Sequence, residues 1–100
     1  MDSRKAPLLS LVVPVYNEQE VLADSFARMD AAMKSTGYAY EIIYVNDGSR
    51  DGTLAQLKAL RQKDSRVHYL CFSRNFGKEA AMFAGLEATA GDYVAVMDAD

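Results

Sequence analysis

Leu8-Leu9-Ser10-Leu11-Val12-Val13-Pro14-Val15 is an apolar run that barely alternates, and the polar stretch Tyr16-Asn17-Glu18 follows it at once. A strand wetted on one side alternates polar and apolar residues. A continuous apolar run suits a strand covered on both faces, as in a parallel sheet. Three more such runs follow, at Glu41–Val45, Val67–Phe72 and Tyr93–Met97. Longer segments separate them. Glu18–Thr36 carries Leu22, Phe26, Met29 and Met33 at helical spacing, and Gly37 supplies a stop. Leu54, Leu57 and Leu60 mark a second helix. Gly77–Ala90 is apolar nearly all round and is expected to be a well-buried third helix, ended by Gly91. The alternation β-α-β-α-β-α-β predicts an α/β fold with a parallel sheet, right-handed crossovers and helices on both faces. The expected spatial order is 3-2-1-4, which sets the first run between the second and the fourth and brings Tyr16 and Asp100 to one crevice.

The 100 residues suffice for one small core, and their 50% hydrophobic and 25% charged content is ordinary for a globular domain. A net charge of −3 without any Lys/Arg run points away from nucleic acid. The single cysteine, Cys71, excludes an internal disulfide and, inside Tyr69-Leu70-Cys71-Phe72, is expected to be a buried strand residue. His68 has no second His or Cys for a soft metal site and reads as structural. No stretch approaches the ~20 apolar residues of a bilayer span. Leu8–Val13 is too short for a signal peptide, so this stretch is expected to be soluble and to face the cytoplasm. Met97-Asp98-Ala99-Asp100 comes straight after a strand. The expected division is a tail at 1–7 and, at 8–100, the nucleotide-binding part of a domain truncated at Asp100.

Ligands of open parallel sheets bind beyond the carboxyl ends of the strands, so the strand-to-helix loops hold the candidate site. In the first, Asn17 and Glu20 fit a helix capping box, Glu18 and Glu20 suit the helix dipole, and Pro14 marks the end of strand pairing. Capping leaves Tyr16 unexplained; a flat ring there can pack on a nucleoside. In the second, Asp47, Ser49, Asp51 and Gly52 mimic the start of an EF-hand loop, but Lys58 stands where its bidentate Glu is required. Gly48 and Gly52 permit tight turns, and Thr53 with Gln56 fits another capping box. Asp47 remains, able to accept from a base N–H or sugar hydroxyls. In the third, Arg74 and Lys78 flank Gly77 at a helix start, which is a ready anion site or, alternatively, a pair of surface charges. Neither a Walker A sequence nor a Gly-x-Gly-x-x-Gly is present.

The fourth loop is the sharpest signal. Asp98 and Asp100 follow what reads as a buried strand and at strand spacing point to one side. Two such carboxylates repel unless a cation or a proton lies between them, and oxygen ligands select Mg²⁺ or Mn²⁺ over zinc. Such a cation can neutralise a leaving diphosphate.

Together these loops resemble the family 2 glycosyltransferases of the GT-A fold. Val13-Pro14-Val15-Tyr16-Asn17-Glu18 resembles that family's first nucleotide motif, Val45-Asn46-Asp47-Gly48-Ser49 with Asp51-Gly52-Thr53 its second, and Asp98-Ala99-Asp100 its metal motif. Ser73-Arg74-Asn75-Phe76-Gly77-Lys78-Glu79-Ala80-Ala81 is similar to the polyprenyl-phosphate sugar transferases. The resemblance implies a Rossmann-like sheet, the nucleotide-binding half of a GT-A fold. It implies inverting, metal-dependent sugar transfer from a nucleotide diphosphate, UDP-glucose by resemblance alone, to a lipid phosphate. Nucleotide contacts are then expected from Pro14, Tyr16, Asn17, Glu18, Asp47, Gly48, Ser49 and Lys78, and metal contacts from Asp98 and Asp100. Catalytic residues are expected after Asp100, with membrane association at the cytoplasmic face, and residues 1–100 alone are expected to be inactive. Two alternatives are a transferase acting on a saccharide hydroxyl in polysaccharide or cell-wall synthesis and a non-catalytic nucleotide-binding module.

Overall fold

The four apolar runs pair as one parallel sheet in the order β3-β2-β1-β4, as expected. The computed structural model describes residues 7–99. Its elements are β1 (Leu8–Val15), α1 (Leu22–Ser35), β2 (Ala39–Asn46), α2 (Thr53–Lys63), β3 (Val67–Cys71), α3 (Lys78–Ala88) and β4 (Tyr93–Val96).

Strand periodicity divides the core in two. Leu11, Val13 and Val15 of β1 and Ile42 and Tyr44 of β2 face α1 and α2, where Leu22, Met29 and Leu57 meet them. Val12 and Val45 point the other way, onto Ala81 and Ala84 of α3. The chain steps outward from β1 to β3 beneath α1 and α2, then returns across the opposite face through α3 to lay β4 beside β1. A constant crossover hand requires that change of face. Each fully buried Val, Leu or Ile contributes about 1.5–3 kcal/mol relative to exposure, so β1 and β2 dominate the stability.

Three expectations fail, each for a reason of position. Only Ala81 and Gly85 of α3 are buried, while Phe83 is 71% exposed. Small residues let α3 lie close on the sheet, and one narrow stripe suffices for that contact. β4 is exposed along its whole length, because it is an edge strand over which no described helix lies squarely. Cys71 is likewise exposed, as the last residue of the opposite edge strand. The helices are also shorter than their patterns. Residues before Leu22 form a turn in which the Val21 and Leu22 amides both donate to the Glu18 carbonyl, and α3 stops at Ala88, ahead of Gly91.

The ends of the strands away from the loops are tied by Glu41. Its carboxylate accepts from the Ser10 hydroxyl at 2.6 Å and the Ala90 amide at 2.8 Å, and Ser10 Oγ accepts from the Gly91 amide at 2.9 Å. This sets the register of β4 against β1 and hence the height at which Asp98 emerges.

Candidate functional site

The carboxyl ends of the strands carry four loops, and hydrogen bonds between loops give the site its shape. Along β1 the Val12 carbonyl accepts from the Met97 amide, so even positions face β4. Pro14 is one step past the last β4 pair, Val12 with Val96, where its missing N–H leaves no ladder bond unmade. Asn17 is the only described residue other than glycine with positive φ, at 53°. Its amide donates to Ser49 Oγ at 2.9 Å, and its Oδ1 accepts from the Arg50 amide at 2.8 Å. The Glu18 amide donates to Thr53 Oγ1, the Gln19 amide to Asp51 Oδ2 and the Gly52 amide to Gln19 Oε1.

These bonds replace both capping boxes. Neither Asn17 nor Thr53 caps its own helix. Instead Asp51 Oδ1 accepts from the Thr53 amide at 2.9 Å and from its hydroxyl at 2.5 Å. The Thr53 hydroxyl holds the Asp51 carboxyl below the usual carboxylate range. The capping residue types are present, but they join two loops rather than a residue and its own helix.

Asp47 is the centre of the third loop. Only 4% exposed, it accepts from the Phe76 amide on Oδ1 at 2.8 Å, and from the Gly77 amide at 3.0 Å and Asn75 Nδ2 at 3.1 Å on Oδ2. The helix-start anion site expected around Gly77 is thus occupied, at those two amides, by a carboxylate of the chain itself. The Arg74 guanidinium lies 4.5 Å from the Phe76 ring centre. Gly48, at φ 76°, lets this loop settle: a Cβ there would overlap the backbone of Arg74 and Asn75.

The fourth loop emerges beside α3. The Lys78 ammonium donates to Asp98 Oδ1 at 2.5 Å. Pro14, Val15, Tyr16, Glu18, Asp47, Lys78 and Asp98 line one cleft of about 140 Å³. The lining combines apolar and aromatic surface from Pro14, Val15 and Tyr16 with charged groups from Glu18, Asp47, Lys78 and Asp98, a mixture that suits a ligand with both a planar ring and charged groups. Among the sequence-predicted site residues, Asn17, Gly48 and Ser49 do not line the cleft; they hold the loops that do. Asp100 lies outside the described residues. Asn75, Asp51, Thr53 and Gln19 carry the loop-to-loop bonds, and no pattern in the sequence marks their partners. No group of three His, Cys, Asp or Glu able to hold a metal ion is found among the described residues.

Residues 10–100 match the family model described as glycosyl transferase family 2. The chain is 45% identical over 92 residues to the bactoprenol glucosyl transferase of Shigella phage SfX, covering 92% of this chain and 30% of that protein. It is 46% identical over 93 residues to the undecaprenyl-phosphate 4-deoxy-4-formamido-L-arabinose transferase of Pseudomonas fluorescens, covering 92% of this chain and 27% of that protein. Its fold superposes on the mannosyltransferase PcManGT from Pyrobaculum calidifontis, solved with GDP-Man and Mn²⁺, with a TM-score of 0.80 at 22% identity, covering 96% of this chain and 28% of that one. The chain therefore spans under a third of the length of these curated relatives.

Proposed function

The chain belongs to glycosyl transferase family 2, and from that we propose that its cleft is the donor site of a hexosyltransferase. The intact protein moves a sugar, glucose by our reading, from a nucleotide diphosphate to a polyprenyl phosphate with inversion. The observation that carries this reading is the convergence of Tyr16, Asp47, Lys78 and Asp98, from four separate loops, on one cleft at the carboxyl ends of the strands. The acceptor is drawn from the lipid carriers named in the two relatives.

Tyr16 packs on the nucleoside against Pro14. Asp47 and the turn it holds read base or ribose, while Asn17, Glu18, Gly48 and Ser49 keep the first two loops in place. Lys78 brings a point charge to the diphosphate. Asp98, with Asp100 beyond the described residues, holds Mg²⁺ or Mn²⁺. The donor set fits a hard cation, since it offers carboxylate oxygen, and such an ion completes its shell from phosphates and water. When bound, the cation offsets charge on the departing diphosphate. A phosphate acceptor, with a second pKa of about 6, is already anionic at neutral pH and asks little of a general base. No described helix is long and apolar enough to cross a membrane; the lipid acceptor is met at the cytoplasmic face.

The test supplies the intact protein with labelled UDP-glucose and undecaprenyl phosphate. Lipid-linked glucose is expected, abolished by chelator and reduced about a hundredfold or more in Asp98→Asn, the scale on which removing a transition-state charge partner acts. Label arriving only on saccharide hydroxyls, or turnover indifferent to both chelator and Asp98→Asn, overturns the proposal.

A further inference from the structure

Lys78 opens α3, and the turn before it fixes where it points. The Phe76 and Gly77 amides and the Asn75 carboxamide all donate to buried Asp47, so the start of α3 is pinned to the end of β2. From that anchor the lysine reaches across the cleft to Asp98 Oδ1, 2.5 Å away. The pair sits at the mouth, with side chains 60% and 55% exposed. An ion pair in that setting is worth little and exchanges readily.

Asp98 is also the carboxylate to which the proposed function assigns the divalent cation. An ammonium 2.5 Å from Oδ1 takes up part of the carboxylate's charge and repels a second cation at the same group, so ammonium and metal ion compete for it. We propose that Lys78 is a built-in counter-cation of the donor site. With no donor bound it neutralises Asp98; when donor and metal arrive it yields the carboxylate to the metal and turns to the diphosphate. This rests on the reading of Asp98 as a metal ligand.

The consequence is coupling. Metal without nucleotide must displace the ammonium into water. Metal with nucleotide displaces it onto phosphate oxygens a short swing away. Lys78 thereby makes metal and nucleotide bind cooperatively, and each must strengthen the other by the same factor.

The experiment measures free Mn²⁺ by electron paramagnetic resonance over the intact protein, with and without UDP, for wild type, Lys78→Gln, Lys78→Arg and Asp98→Asn, with circular dichroism as the check on folding. Without UDP, Lys78→Gln is expected to bind Mn²⁺ about threefold to fivefold more tightly than wild type, in keeping with the worth of an exposed pair. The ratio of Mn²⁺ affinities with and without UDP is expected to shrink by at least that factor, and Lys78→Arg to stay near wild type. Unchanged or weaker Mn²⁺ binding by Lys78→Gln, or an unchanged ratio, overturns the inference; if Asp98→Asn still abolishes binding, the metal reading survives. Mn²⁺–UDP binding that ignores Asp98→Asn removes the metal reading and the inference with it.

Discussion

Asp47 anchors the third loop with its carboxylate and, on the proposed reading, serves the ligand with the same group. An ionised carboxyl offers about four acceptor sites. The Asn75 side chain and the Phe76 and Gly77 amides take three, which leaves capacity for a ligand in the cleft it lines. Asp47→Ala is therefore expected to weaken UDP binding by the intact protein roughly tenfold or more, since a charge-assisted hydrogen bond contributes about 1.5–3 kcal/mol. The same variant should speed hydrogen exchange at Phe76 and Gly77. Calorimetry showing unchanged affinity would remove the nucleoside role; unchanged exchange would remove the anchoring one. Tyr44 shows the opposite condition. Its hydroxyl is fully buried with no hydrogen-bond partner among the described residues, and burial pushes its pKa well above the usual tyrosine value. An orphaned hydroxyl costs about 1–3 kcal/mol. Tyr44→Phe should thus raise unfolding stability by about 1 kcal/mol in urea, whereas a loss of stability would mean the hydroxyl has a partner.

Contacts between elements depend on what each face can bring close. α3 lies on β1 through Gly85, where a Cβ would overlap Val12 Cγ1. Gly→Ala in a helix interior ordinarily gains about 1 kcal/mol. Here the overlap reverses the sign, and Gly85→Ala is expected to lose about 1–2 kcal/mol on denaturation, as overpacking does; a gain would mean α3 can ride up off the sheet. α1 is tied to β2 differently. The Tyr40 hydroxyl donates to Asp30 Oδ1 at 2.5 Å, and Arg66 lies 4.5 Å from the Tyr40 ring centre. Burial, and then the bond to Asp30, push Tyr40 up to about 12 from the ordinary 10.0. The unfolded chain then loses that proton before the folded one does, so the contribution is complete below pH 10.0 and disappears as pH rises to about 12. Stability measured across that window should fall less steeply in Tyr40→Phe than in wild type, less steeply rather than flat because Tyr44 titrates in the same sense. Equal slopes would place the titration elsewhere.

At the scale of the whole chain, two surfaces stand open. The outer face of α3 exposes Phe83 and Leu86, and β4 exposes Tyr93, Val94 and Val96 on an edge that no other described strand pairs with. Open apolar edges invite pairing with another chain. Residues 1–100 produced alone are expected to self-associate with rising concentration in sedimentation, and Val96→Lys should shift that toward monomer, since a charge on an edge strand opposes pairing. A monomer at all concentrations would show that these surfaces are tolerated bare. On the proposed reading the same chain alone should transfer no sugar, since it spans under a third of the length of its curated relatives.

The sequence by itself was enough to expect the element order, the strand order and the four loops at the carboxyl ends of the strands. The elements and their loops follow from local terms, period-2 or period-3.6 burial and turn residues; the crossover hand set by backbone sterics limits the strand orders without choosing 3-2-1-4 among them. The sequence also pointed to Tyr16, Asp47, Lys78 and Asp98 as candidate site residues; the structure sets all four along one cleft, because strand ends in a parallel sheet point one way, while Asp100, expected at the same crevice as Tyr16, lies outside the described residues. Which residue bonds to which was decided only by the tertiary structure. Asn17 and Thr53 have capping chemistry, yet they serve neighbouring loops, because hydroxyl and carboxamide groups bond whatever the fold brings within 3 Å. The amides before α3 read as an open anion site until Asp47, 29 and 30 residues away in sequence, came to rest on them. The apolar stretch 93–97 read as buried because hydrophobicity records what a residue prefers. Burial depends on what lies over it, and β4 ended at the edge of the sheet.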